Sequence, residues 1–119
     1  MRPDIKGLVK LAGVIRRVNP KRFDMGHWWA ETPCGTSGCI AGHASFIFPA
    51  RFKRVGKDGD YEIMHTRSGE TGSSAFAKGF RITEAQAEHI TLGNLYRTPK
   101  IAAKEIMALV GKLRKEVKA

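Results

Sequence analysis

Apolar and polar positions recur along this chain with two different periods, and those periods predict most of its elements. Over residues 4–18, Ile5, Leu8, Leu11, Ala12, Ile15 and Val18 fall on one broad face, with Lys6, Lys10 and Arg17 on the other. That is the 3.6-residue period of an amphipathic helix, and Asn19-Pro20 ends it. Cys39, Ile40, Ala44, Phe46 and Ile47 predict a short buried helix, with Thr36 or Ser37 as its N-cap, that Pro49 forbids from continuing. Thr83-Glu-Ala-Gln86 is a capping-box pattern, which starts a helix running to about Leu92 that Gly93-Asn94 terminates. Thr98-Pro99 then supplies an N-cap and a proline at the first helical position. In the helix that follows, Ala102, Ile106, Leu109, Val110, Leu113 and Val117 oppose Lys104, Lys112, Lys115 and Lys118.

The two-residue period of a strand occurs once, where Tyr61, Ile63 and His65 alternate with Glu62, Met64 and Thr66. The turn-rich stretch Gly56 to Asp60 would join this strand to a partner at Phe52 to Val55. Lys21 to Pro33 has no clear period, and Phe23, Met25, Trp28 and Trp29 are expected to hold it as a loop over the core. Arg67 to Ser74 reads as a mobile loop, Ala75 to Phe80 as a single helical turn, and Tyr96 as a ring that returns to the core. The expected architecture is mainly α: a compact four-helix domain that can accommodate a small two-stranded β-ribbon.

Length and composition make this a single domain spanning 1–119, since 119 residues at 42% apolar supply one core and would starve two. The net charge of +10 is the strongest global feature and points to polyanionic partners. It is concentrated in three clusters. Residues 1–22 carry seven Lys or Arg against Asp4 alone, the segment from Lys100 carries six against Glu105 and Glu116, and Arg51, Lys53, Arg54 and Lys57 form the third. Lys6, Lys10, Arg16 and Arg17 interrupt every apolar stretch near the start, so neither a secretory signal nor a membrane span is expected, and a cytoplasmic location is. Two cysteines in a chain this size do not make a secreted disulfide scaffold.

Four stretches, in order, carry a resemblance: Phe23-Asp-Met, Cys34-Gly-Thr-Ser-Gly-Cys-Ile-Ala-Gly-His43, Arg81-Ile-Thr-Glu-Ala-Gln-Ala87, and Thr98-Pro with Ala102-Ala103. Together they resemble a group of small phage, prophage and bacterial proteins with a comparable Cys-Gly-Thr-x-x-Cys-Ile-Ala-Gly segment ahead of two helices. The resemblance covers most of the chain from Phe23 onward. It implies a helical fold and a mobile-element context, with replication accessories or counter-defence proteins as candidates, and carries no activity to any residue.

The segment Cys34 to Ala44 concentrates the distinctive side chains, and several chemistries compete for it. His27, Cys34, Cys39 and His43 form a two-Cys, two-His set that zinc accepts in a closed tetrahedron, which makes zinc the one cofactor to weigh. The Cys34-to-Cys39 spacing is at the loose end for such a site. The competing account makes Cys39 a small buried hydrophobe and gives His43 a backbone carbonyl as partner; it carries more weight because no second Cys pair supports the metal. A thiol nucleophile at Cys39 or Cys34 with His65 as base is a further option, but no residue is evident to orient that histidine. Gly35 to Gly38, leading into a helix, could present N–H groups to a phosphate, although no Walker lysine follows. Small residues there, Gly38 and Gly42 in particular, equally suit the close approach of another helix such as the last.

Charge supplies the reading that ranks first. Lys6, Lys10 and Arg17, then Arg51, Lys53 and Arg54, then Lys104, Lys112, Arg114 and Lys115 are candidate contacts for nucleic acid. The expected function is that of a non-enzymatic accessory protein of phage or prophage type. Its basic helices would engage nucleic acid or a host nucleoprotein complex and leave membranes alone. A counter-defence inhibitor that docks on a host protein is the alternative, with a small Cys/His thiol enzyme third. Trp28 and Trp29 could stack on bases, but their area favours anchoring in the core.

Overall fold

The computed structural model describes residues 2–25, 28–32, 35–92 and 98–118. Helix α1 (Ile5–Ile15) begins where the Asp4 carboxylate accepts the Gly7 N–H at 3.0 Å, and it buries Leu8, Leu11, Ala12 and Ile15 as its period requires. A 3-10 turn at Pro20–Arg22 follows. Strands β1 (Trp29–Thr32) and β2 (Gly35–Gly38) precede α2 (Ile40–Ile47). Then come β3 (Phe52–Lys57), β4 (Asp60–His65), α3 (Gly72–Phe80), α4 (Glu84–Leu92) and α5 (Pro99–Lys118). Among the described residues, no helix is long and apolar enough to cross a membrane.

The mainly helical character and the β3–β4 ribbon agree with the sequence pattern, but the described residues form five helices, not four, and the ribbon belongs to a four-stranded sheet. Its order is β2-β1-β4-β3, antiparallel throughout. Phe52 pairs with His65 and Lys57 with Asp60, so Asp58-Gly59 forms the hairpin turn. Both turn residues have positive φ, at 59° and 81°, as the hairpin twist demands. Among the described residues, Trp29 and Ala30 join β1 to β4, opposite Tyr61 and Asp60. Two-residue contacts and four-residue strands leave no periodic signature to read.

The fifth helix is α3, which occupies part of the stretch expected to be a mobile loop. Gly72-Ser-Ser gives its first turn little apolar character, yet Ala75, Phe76, Ala77 and Phe80 are buried behind it. The Phe76 and Phe80 rings meet at 4.7 Å, tilted by 46°, and a side chain on Gly79 would collide with the Phe52 ring, so α3 lies close against β3. The burial of two phenylalanines outweighs weak local propensity.

Helices α4 and α5 start as predicted. Thr83 and Gln86 exchange hydrogen bonds of 3.0 and 3.1 Å, and the Thr98 hydroxyl accepts the Ile101 N–H at 3.2 Å. The expected helix stop at Gly93-Asn94 and the return of Tyr96 lie outside the described residues. Helix α5 packs along α1, and one core joins α1, α2, α3, α4 and α5 with Phe52 and Ile63 of the sheet.

Candidate nucleic-acid interface

The segment around Cys39 is a packed hub. Gly35 to Gly38, read as a loop that could cap a helix or cradle a phosphate, is instead strand β2, and its backbone pairs with β1 from Thr32↔Gly35 to Trp29↔Gly38. The N-cap of α2 is Cys39, with no side-chain capping bond, not Thr36 or Ser37. A Cβ on Gly42 would meet the Trp28 carbonyl, and one on Gly38 the Trp29 ring. The small residues therefore admit the Trp28-Trp29 segment, not the last helix.

Cys39 is 2% exposed, and its Sγ donates toward the Trp28 carbonyl at 3.8 Å. One turn on, His43 Nε2 donates to the Arg22 carbonyl at 2.9 Å. Its ring stacks near Phe23 at 6.0 Å and meets Trp29 edge-on at 5.5 Å. Burial holds the imidazole below the ordinary histidine pKa, against the opposing pull of the Arg22 and Gly38 carbonyls. His27 and Cys34, the other half of the zinc set, lie outside the described residues. His65 hydrogen-bonds Ser68 at 2.9 Å and makes no hydrogen bond to Cys39. Reactive thiols are partly exposed, and the burial of Cys39 places it poorly to attack a substrate. Trp29 is 6% exposed, which commits its ring to packing in place of base stacking.

The fold redistributes the basic clusters. Lys6 and Lys10 are exposed one turn apart on α1, and Arg17 is exposed just past its end. Arg16 turns the other way, into a groove of about 320 Å³ shared with Lys100 and Lys104 of α5. Lys112 lines a separate groove facing α4, beside Glu105 and His89, while Arg114 and Lys115 stay exposed. None of Lys6, Lys10, Arg17, Lys53, Lys104, Lys112, Arg114 and Lys115 forms an ion pair with another described residue.

Strand alternation splits the third cluster. Phe52 and Arg54 share the face turned to the helices, and Lys53 lies exposed on the other. Arg54 stacks its guanidinium 3.7 Å from the Phe46 ring centroid and donates to Ser45 at 3.0 Å. Arg51, just before β3, pairs with Asp4 at 2.5 Å and donates to the Gly79 carbonyl at 3.3 Å. Burial raises the Asp4 pKa, but the Gly7 N–H and Arg51 outweigh it and leave the carboxyl below its ordinary value. Arg51 is thus largely a structural cation.

Arg51 also joins two basic regions that are distant in sequence. Its guanidinium lies 4.5 Å from the Phe48 ring centroid, and the Lys10 ammonium lies 5.5 Å from that same ring. Beyond Arg51 is a pocket of about 410 Å³ lined by His65, Thr66, Arg67, Lys78 and Arg81. Arg67, Lys78 and Arg81 escape a sequence reading because they are not neighbours in the chain. One local oddity marks the place: Arg81 caps α3 in the left-handed conformation, φ 56° and ψ 47°, where glycine is the usual residue. That geometry costs a side-chain-bearing residue on the order of 1 kcal/mol.

Desolvation holds His65 below the ordinary histidine pKa; Glu70 opposes this, and Lys78 and Arg67 add to it. Lys10, Phe48, Arg51 and the pocket thus form a connected cationic band, which can hold successive phosphates of a polyanion. No protein family, curated protein or solved structure matches the chain.

Proposed function

We propose that this is a non-enzymatic binding protein that engages nucleic acid, directly or within a nucleoprotein complex, through the cationic band from α1 to the end of α3. The observation that carries the reading is the shared Phe48 ring. It brings Lys10 and Arg51 together and so links the cations of α1 to Arg67, Lys78 and Arg81. Lys6, Lys10 and Arg67 have no carboxylate partner among the described residues, so a phosphate would displace counterions only, and counterion release is the main source of non-specific affinity. The resemblance to phage and prophage proteins adds an accessory role on a mobile element. The test is a titration with unrelated DNA and RNA at rising salt. About five phosphate contacts predict a log–log slope of roughly −3.5 to −4.5, and absence of binding at low salt contradicts the reading.

A second reading, an inhibitor that docks on a host protein, is favoured by one feature of α5. Ile101 and Met107 are 45% and 40% exposed on the helix that also carries Lys100 and Lys104. Apolar side chains among lysines suit an acidic, amphipathic partner better than a phosphate chain. A host partner retained after nuclease digestion and lost with Ile101→Ser plus Met107→Ser supports this reading; retention by the variant removes it.

A further inference from the structure

We propose that the pocket between the end of the β3–β4 ribbon and the C-terminus of α3 is a binding site for a phosphomonoester dianion. Four permanent cations from separate parts of the chain line it: Arg51, Arg67, Lys78 and Arg81. Two carboxylates answer them, Asp4 paired with Arg51 and Glu70 at 3.9 Å from Lys78. Two positive charges are left over, which matches a phosphomonoester near neutral pH, whereas a phosphodiester inside a strand carries one negative charge.

The donors that remain are suited to that group. The Arg81 Nε donates to the Arg2 carbonyl at 2.8 Å, which anchors the side chain and leaves its terminal nitrogens for a bidentate contact. Arg67 has no partner among the described residues. The Ser68 N–H donates to His65 Nδ1 at 3.2 Å, so the neutral ring carries its proton on Nε2, a further donor at the pocket wall. The Thr66 hydroxyl is already spent on the Ala50 carbonyl at 2.7 Å. A volume of about 410 Å³ admits a phosphoryl group with an attached sugar.

The backbone at Arg81 is the independent sign. A left-handed helix cap is where glycine folds best, and an arginine there forgoes that advantage while lining the pocket. The ligand could be the 5′-phosphate of a strand or a free sugar phosphate. Either would use the same donors, and neither requires the rest of the band.

The test follows ¹⁵N and imidazole NMR signals while inorganic phosphate, ribose 5-phosphate, and a 5′-phosphorylated or 5′-hydroxyl oligonucleotide of one sequence are added at constant ionic strength. Saturable shifts with phosphate or ribose 5-phosphate at His65, Arg67 and Arg81 support the site. A tenfold gain in oligonucleotide affinity from the 5′-phosphate assigns it to strand ends, and no gain assigns it to small molecules. Arg81→Gly, which suits the left-handed cap, should keep or raise the melting temperature and abolish both effects. Linear, unsaturable shifts with every anion, or full binding by Arg81→Gly, overturn the proposal. Salt-dependent binding of the 5′-hydroxyl strand reports separately on the band.

Discussion

His43 Nε2 lies 2.9 Å from the carbonyl oxygen of Arg22, a group that can only accept, so the ring proton sits on Nε2 and ties α2 to the end of the 3-10 turn. Because burial lowers this imidazole's pKa, the unfolded chain takes up its proton first. His43's contribution is therefore complete above the ordinary value of 6.5 and is lost as pH falls from there through the folded value. His65, also lowered, acts with the same sign. Urea unfolding at pH 7.5 and 5.5 should show a loss of stability that His43→Gln reduces, and an unchanged pH dependence in that variant contradicts the assignment.

Two helical glycines should respond oppositely to alanine. A Cβ on Gly42 meets the Trp28 carbonyl, a backbone atom that cannot swing aside, so Gly42→Ala should destabilise by about 1–3 kcal/mol. Gly13, in the body of α1, has nothing within 4 Å of its Cβ position, and Gly13→Ala should stabilise by roughly 0.5–1 kcal/mol. Thermal melts of the pair check both signs.

Cys39, at 2% exposure and aimed at the Trp28 carbonyl, should resist alkylation at neutral pH in the native protein and react fully in denaturant. Selective native labelling of Cys39 would restore the thiol-enzyme reading. Metal analysis of the same sample should find zinc well below one per chain, because Cys39 and His43 both have protein partners. Stoichiometric zinc would reinstate the set with His27 and Cys34.

The helices were legible where the sequence repeats a period or states a cap. The α1 stripe, Thr83 with Gln86, and Thr98-Pro99 all announce their elements. Strands β1 and β2 were not, and of α3 only the turn from Ala75 to Phe80 was: β1 and α3 are held by partners far along the chain, Tyr61 and Phe52, while β2, Gly-Thr-Ser-Gly paired to β1, has no apolar alternation to read. The basic residues were legible as charge and illegible as a surface. Lys53 and Arg54 are neighbours that strand geometry sends to opposite faces, and Arg67, Lys78 and Arg81 converge only through the fold. The hub at Cys39 was legible as packing, though the element that fills its glycines was not.

If the cations joined through Phe48 bind as one band, the salt slope of nucleic-acid affinity in single alanine variants reports it most directly. A residue that contacts a phosphate lowers the slope by about one unit when it is removed. Lys10→Ala and Arg67→Ala should each do so, while Lys53→Ala, on the opposite face of the sheet, should leave the slope unchanged. Equal losses from Lys10, Arg67 and Lys53 would mean that net charge alone, with no particular surface, holds the polyanion, and would contradict the band.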